Sequence, residues 1–199
     1  MKKKVAINGF GRIGRLVFRA YLERSNEFNE TYEISYINDL ADIDSNIHLL
    51  KYDSVHGAFG DGIQKTANNK FKVGQNEITV TSEKNPIDIN WAKKEVDVIL
   101  ECTGVFASKE KSLLHVESGA KKVVVSAPCT NADFTVVQGV NHEKINSDHV
   151  IISNASCTTN CLSRQNLPQI SNKKVSLNNF KGAYVISQSS KINHITIIA

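Results

Sequence analysis

The chain has 199 residues, of which 41% are apolar and 22% are charged, which is ordinary for a globular protein that buries one domain core. No apolar run approaches the roughly 20 residues that a membrane span needs, and no export-signal pattern follows the basic residues 2–4. Five of the 24 basic residues lie in 163–199, which contains no Asp or Glu, so the remainder is close to neutral. We therefore expect a cytoplasmic protein that binds neither nucleic acid nor membrane.

The first predicted elements form one βαβ unit. Residues 4–8 are typical of a short buried strand, and they run directly into a glycine-rich turn. The apolar positions of 13–21 recur at helical spacing, and 32–38 is a second strand that ends at Asp39. Two parallel strands joined by a helix close with a right-handed crossover.

The rest of the first 162 residues continues the alternation of strands and helices. This alternation predicts an α/β protein with a doubly wound Rossmann sheet. The further predicted elements are a helix at 45–51, a hairpin at 71–82, a strand at 96–100, a helix at 108–118, and strands at 122–126, 135–137 and 150–153.

The composition changes after Leu162. The segment 163–199 lacks acidic residues, is rich in Ser, Asn, Lys and Ile, and has poor helical periodicity, with Pro168 interrupting any helix continued from the preceding residues. The sequence therefore predicts one domain at 1–162, followed by a divergent tail at 163–199 in which no domain is recognisable.

The glycine turn predicts a dinucleotide site because a strand precedes it and a helix follows it. Gly9 permits the tight turn, Gly11 lets the backbone reach a pyrophosphate, and Gly14 lets the helix pack closely on the strand. The backbone N–H groups of Arg12 and Ile13 then point at the phosphates from the positive end of the helix.

Asp39 predicts which dinucleotide binds. It lies about two dozen residues beyond the glycine turn, at the end of the second strand, where a carboxylate accepts hydrogen bonds from the ribose hydroxyls. A 2′-phosphate would be repelled at this position. The sequence therefore predicts NAD rather than NADP as the cofactor.

The four cysteines are Cys102, Cys129, Cys157 and Cys161, and with no export signal we expect all four to be free thiols. Cys157 lies between small hydroxyl residues, just after a predicted strand and at the start of a helix, whose positive end favours a nucleophilic thiolate. The other three are predicted to be structural. Two cysteines one helical turn apart with no further ligand cluster make a poor metal site, so no metal is predicted.

Two motifs together carry a family resemblance: Ile-Asn-Gly-Phe-Gly-Arg-Ile-Gly-Arg at 7–15 and Ser-Asn-Ala-Ser-Cys-Thr-Thr-Asn-Cys-Leu at 153–162. Shorter matches lie between them at 37–40, 50–57, 101–106 and 119–123. In this order and without large gaps, residues 3 to about 162 resemble glyceraldehyde-3-phosphate dehydrogenase.

The resemblance implies a phosphorylating oxidation in glycolysis. Cys157 would attack an aldehyde, hydride would pass to NAD, and inorganic phosphate would release an acyl phosphate, with Ser156 and Thr158 helping to bind the phosphorylated aldehyde and phosphate. The family forms homotetramers. Besides the glycine turn and Asp39, the cofactor residues implied by the resemblance are Lys84, Thr103, Gly104 and Ser126.

The resemblance ends near Leu162. The family continues into a catalytic domain that supplies a base from a Thr-Thr-x-His segment, which does not occur in 163–199, where His194 is the single histidine. We therefore expect a truncated form whose second, catalytic domain is missing and whose activity is low. Two alternatives are an erythrose-4-phosphate dehydrogenase and a non-catalytic NAD-binding module.

Overall fold

The computed structural model describes residues 2–24, 31–60 and 62–160, and the backbone of two short strands at 188–189 and 192–193. The strands in these ranges are β1 (Lys3–Asn8), β2 (Tyr32–Asn38), β3 (Tyr52–Asp53), β4 (Gly57–Ala58), β5 (Ile63–Ala67), β6 (Lys70–Val73), β7 (Asn76–Thr81), β8 (Val98–Glu101), β9 (Lys122–Val125), β10 (Phe134–Thr135), β11 (Ile151–Ser153), β12 (Gln188–Ser189) and β13 (Ile192–Asn193). The α-helices are α1 (Arg12–Glu23), α2 (Ile43–Lys51), α3 (Trp91–Lys94) and α4 (Lys109–Glu117).

Nine of these strands form one sheet in the order β10-β11-β9-β8-β1-β2-β7-β6-β5. From β10 to β7 along this order, neighbouring strands are parallel. Strands β6 and β5 add an antiparallel edge. No helix in the described ranges has the length and apolar run that crossing a bilayer requires.

Helices cover both faces of the sheet. Successive side chains of a strand point to opposite faces, so neighbouring residues of β1 belong to different cores. Val5 and Ile7 pack into one buried cluster with Phe18 of α1. Ala6, between them, belongs to a second cluster that contains Trp91 of α3. Two apolar cores on one mostly parallel sheet are the doubly wound α/β architecture that the strand and helix pattern predicts.

The predicted elements are found with small shifts at their ends. Strand β2 has the predicted bounds, and the predicted hairpin is present as antiparallel β6 and β7. Helix α2 begins at Ile43, two residues early, because the Asp42 carboxylate accepts the Ser45 N–H at 2.8 Å and caps the helix. Strand β5, the β3–β4 pair and α3 were not predicted.

The register aligns the carboxyl ends of seven parallel strands. Residues at the ends of neighbouring strands are direct partners, and this terminal row runs Thr135, Ser153, Val125, Glu101, Asn8, Asn38 and Thr81 across β10, β11, β9, β8, β1, β2 and β7. In open α/β sheets, ligands bind beyond the carboxyl ends of the strands. The loops that follow this row are therefore the candidate ligand site.

The predicted tail lies outside the described residues, apart from the backbone of β12 and β13. The domain boundary after Leu162 stays a prediction.

Candidate cofactor and cysteine site

The glycine turn after β1 holds three glycines with different surroundings. Gly9 has a φ of +90°, and a Cβ there would lie 2.7 Å from Thr103 Cγ2. A Cβ at Gly14 would lie 2.1 Å from the carbonyl oxygen of Gly9, whereas one at Gly11 would meet no atom within 4 Å. Gly9 and Gly14 thus permit close contacts within the protein, and Gly11 leaves open space where a ligand can approach the backbone.

Asp39 ties the glycine turn to the end of β2. Its Oδ2 accepts the Phe10 N–H at 2.6 Å, and its Oδ1 accepts the Ala41 N–H at 2.9 Å. The carboxylate is half-buried, so it also faces the neighbouring cavity. Its negative charge stands where the sequence predicts recognition of a ribose.

A cavity of about 450 Å³ opens beside the glycine turn. Five predicted cofactor residues line it: Gly9, Gly11, Asp39, Lys84 and Thr103. The volume falls within the range of pockets that hold small ligands and cofactors.

The rim of this cavity carries apolar side chains that the sequence analysis did not single out. Leu40 and Val105 both line the cavity while remaining 63% and 61% exposed, and Phe106 lies beside them. Exposed apolar groups that flank a concave site provide surfaces for a flat aromatic ring. These three side chains lie in the segments 37–40 and 101–106 that resemble the family, so the resemblance could have indicated them.

The other predicted cofactor residues, which all belong to the described ranges, are not among the residues that line the cavity. Arg12 begins α1 and pairs with Asp53, with 3.3 Å between Nη1 and Oδ2. The Ile13 side chain packs against the core. Gly104 has a φ of +75°, and the Ser126 N–H donates to the Glu101 carbonyl at 2.9 Å.

Asp53 is held in its ionised form. The backbone N–H groups of His56 and Val55, followed by the His56 side chain and the Arg12 charge, hold the pKa of this carboxyl well below its usual range. Asp53 therefore stays negatively charged near neutral pH and keeps the Arg12 guanidinium beside the start of α1.

The predicted nucleophile follows β11 in a tightly held turn. Ala155 has a φ of +56°, which is unusual for a residue with a side chain. The buried Asn160 amide donates to the carbonyls of Asn154 at 2.8 Å and Ser156 at 3.0 Å, and so bridges the turn. Cys157 is exposed at the start of the helical segment 157–160.

Ser156 caps this helical segment. Its Oγ accepts the Thr159 N–H at 3.0 Å and lies 2.9 Å from Thr158 Oγ1. The hydroxyls of the two predicted substrate residues, Ser156 and Thr158, therefore stand together beside Cys157.

The other described cysteines lie in less reactive surroundings. Burial, reinforced by the nearby Glu101 charge, raises the pKa of Cys102 to about 12. Burial also raises the pKa of the Cys129 thiol. Cys161 and His194 lie outside the described residues, and within them no group of three or more metal-ligating side chains occurs.

Four buried polar residues that sequence reasoning missed are connected at the cavity, all at most 5% exposed: Asn8 and Asn38, which line it, and Glu101 and His115, which join them by hydrogen bonds. Three of them end parallel strands. A polar residue that closes a buried apolar strand is the signal that sequence reasoning could have used, because burying such a group demands a partner.

A doubly wound sheet with a glycine turn, a terminal aspartate and a cavity at its carboxyl edge defines a Rossmann dinucleotide-binding domain. Residues 3–109 match the family described as "Glyceraldehyde 3-phosphate dehydrogenase, NAD binding domain". The chain belongs to this family, and its cofactor is NAD, as the sequence predicts.

Relatives with the name glyceraldehyde-3-phosphate dehydrogenase support this assignment. The chain is 51% identical over 162 residues to the protein of Xanthobacter flavus, covering 81% of this chain and 47% of the relative. It is 48% identical over 163 residues to the Geobacillus stearothermophilus protein, with the same two coverages. The chain thus spans about half the length of the curated relatives it matches.

We expect Asp39→Ala to weaken NAD binding and to abolish the preference for NAD over NADP. The substitution removes a ribose acceptor and leaves the Phe10 and Ala41 N–H groups without their partner. Calorimetric titration of both cofactors measures the change. Asp39→Asn is the matched control, since it keeps one acceptor oxygen but loses the charge. Equal affinity of the unaltered chain for NAD and NADP would contradict the role of Asp39.

Proposed function

We propose that this chain carries the NAD-binding and nucleophile-bearing part of a phosphorylating glyceraldehyde-3-phosphate dehydrogenase. The observation that carries the proposal is the exposed Cys157, which follows β11 at the same sheet edge as the NAD cavity. The relatives that share this sequence have the corresponding name. The proposed substrates are a small phosphorylated aldehyde and inorganic phosphate.

The proposed chemistry begins at Cys157. Its thiolate attacks the aldehyde carbon and forms a C–S bond, giving a thiohemiacetal. When bound, NAD supplies the acceptor for the hydride that leaves this carbon, while the hydroxyl proton passes to a base. An oxygen of inorganic phosphate then attacks the thioester carbonyl, the C–S bond breaks, and the acyl phosphate departs as the Cys157 thiolate is restored.

Ser156 and Thr158 are the proposed substrate contacts. Their hydroxyls lie 2.9 Å apart and flank the nucleophile, so both are placed to donate to the oxygens of a phosphate. Thr159 Oγ1 lies 2.7 Å from Ser156 Oγ and extends the same cluster.

The described histidines are engaged away from this loop. His56 contacts Asp53, His142 and His149 accept nearby backbone N–H groups, and His115 is buried against Glu101. His48 packs on the Tyr52 ring. A positioned general base contributes roughly 10²–10⁴ in rate, so we propose that the 199-residue chain by itself turns over slowly.

NADH formation from glyceraldehyde 3-phosphate, NAD and phosphate tests the proposal. We expect a slow rate that depends on Cys157 and falls to background in Cys157→Ser, which keeps the shape of the loop but removes the thiolate nucleophile. Turnover that survives Cys157→Ser would contradict the proposed mechanism.

Two further arms of this assay separate the alternatives. Faster oxidation of erythrose 4-phosphate would reassign the substrate. NAD binding with no Cys157-dependent chemistry on either aldehyde would make the chain a non-catalytic cofactor-binding module.

We also propose a cytoplasmic location. The three cysteines of the described residues are free, which is the state of thiols in a reducing compartment.

A further inference from the structure

Glu101 is a fully buried carboxylate at the carboxyl end of β8. Its Oε1 accepts the Thr103 N–H at 2.8 Å and the Thr103 hydroxyl. Its Oε2 accepts the Asn8 amide at 2.6 Å and lies 3.1 Å from His115 Nε2. A buried charge needs such compensation. Three of the four groups around the carboxylate donate hydrogen bonds to it: the Thr103 N–H, the Thr103 hydroxyl and the Asn8 amide.

The fourth partner is also a donor, because of Trp91. The Trp91 indole N–H lies 3.0 Å from His115 Nδ1, and an indole nitrogen only donates. His115 Nδ1 therefore accepts, and its ring proton is on Nε2, which donates to Glu101. All four contacts of the carboxylate are consequently donors directed at it.

The chain of hydrogen bonds continues from Asn8 across two more strands. Asn8 Oδ1 accepts the Asn38 amide at 2.8 Å. Asn38 Oδ1 accepts the Thr81 hydroxyl at 2.9 Å and the Glu83 N–H at 2.8 Å. The donors along this chain, which we call the buried polar ladder (Thr81, Asn38, Asn8, Glu101), all point towards the Glu101 carboxylate.

Each member of the ladder precedes a loop that lines the NAD cavity. Asn8 precedes Gly9, Asn38 precedes Asp39, Thr81 precedes the segment 82–84, and Glu101 precedes the loop 102–106. Thr103 connects the ladder to the cavity directly, since it bonds to Glu101, packs against Gly9 and accepts the Val105 N–H at 3.0 Å.

From this arrangement we propose that Glu101 is a positioning residue for NAD: through Thr103, its carboxylate holds the loop 102–106 against the glycine turn in the geometry that binds the cofactor. The proposal rests on NAD binding in the adjacent cavity. A glutamine cannot replace Glu101, because its amide N–H₂ would face a donor in either orientation.

A double-mutant cycle in the full chain tests this role, with NAD affinity measured by calorimetry and stability by thermal unfolding. We expect Glu101→Gln and Thr103→Val each to weaken NAD binding about tenfold or more, as losing a buried charged hydrogen bond does. The double variant should bind NAD no more than about twofold more weakly than the weaker-binding single variant, because both changes break the same connection between Glu101 and Thr103. Effects that multiply in the double variant would overturn the proposal.

Two matched controls separate positioning from stability. Thr103→Ser keeps the hydroxyl that donates to Glu101, so it should bind NAD more tightly than Thr103→Val does. Trp91→Phe removes the donor at the far side of His115, so it should lower the unfolding temperature yet leave NAD affinity unchanged. Equal affinities for the Thr103→Val and Thr103→Ser variants, or a loss of affinity in Trp91→Phe as large as in Glu101→Gln, would overturn the role of Glu101.

The remaining outcomes are also decisive. Where Glu101→Gln does not fold, Glu101→Asp, which keeps the charge but shortens its reach, takes its place in the cycle, and the Thr103 pair still decides. Failure of the unaltered chain to bind NAD would overturn the cofactor assignment itself. Normal NAD binding by the unaltered chain and by every variant would overturn only the positioning role.

Discussion

Gly14→Ala is expected to destabilise the domain strongly. The added methyl carbon would lie 2.1 Å from the carbonyl oxygen of Gly9 and 3.1 Å from Ile7 Cγ2. Neither atom can move freely, since one belongs to the backbone of the glycine turn and the other to a fully buried side chain. Overpacking of a close contact costs about 1–3 kcal/mol or more, and here α1 would also have to move away from β1. Circular dichroism and thermal unfolding measure the loss.

Gly11→Ala is the matched control on the same turn, with the opposite expected result. Gly11 has a φ of −65°, and a Cβ there would contact nothing within 4 Å. The variant should therefore fold with an unchanged unfolding temperature, but its methyl group should block the approach of the NAD pyrophosphate. A Gly14→Ala variant as stable as the unaltered chain would contradict the close contact, and normal NAD binding by Gly11→Ala would contradict the phosphate site.

Cys157 is expected to react with iodoacetamide at pH 7 at least about a hundredfold faster than Cys102, because alkylation requires a thiolate. With a pKa of about 12, Cys102 has only about 10⁻⁵ of its thiol ionised at pH 7, whereas an ordinary exposed thiol has a few per cent. Cys157 is exposed, so access favours it as well. Mass-spectrometric peptide mapping after brief labelling, in a Cys161→Ser background, measures both rates.

The labelling rate of Cys102 should rise with pH. The pKa of Cys102 is raised, so its thiol stays protonated through neutral pH, and its labelling should rise about tenfold per pH unit until the pH approaches 12. Cys157→Ser should remove the fast phase and leave the Cys102 rate unchanged. Faster labelling of Cys102 or Cys129 than of Cys157 at pH 7 would contradict the assignment of the nucleophile.

Much of the fold was predictable because its signals are local. The apolar run that precedes the glycine turn and the helical spacing after it each depend on residues close in sequence. Strand β5 was missed because five residues with an exposed, polar pattern carry no strand periodicity of their own. That strand forms through pairing with β6 at the edge of the sheet.

The candidate site was predictable only in part, for a similar reason. Gly9, Gly11, Asp39 and Cys157 could be proposed as site residues because each belongs to a short motif whose chemistry demands that residue type, and their roles stay predictions. The roles of Arg12 and Ile13 as phosphate donors stay predictions, since they concern backbone N–H groups and a ligand. The rim residues and most of the ladder lie in the matched segments, but their contacts join segments that are distant in the chain, so a local motif does not reveal them.

By itself, the sequence determined the family, the parallel sheet with its glycine turn and NAD as the cofactor, whereas the role of Cys157 as the nucleophile stays a proposal. The tertiary structure alone decided that Asn8, Asn38, Glu101 and His115 form one hydrogen-bonded network at the cavity beside the glycine turn. Asn8 and Glu101 are 93 residues apart in the chain and bond because β1 and β8 lie side by side. A local pattern records the conformation of its own segment, but the partner of a buried polar group depends on which strands the fold places together.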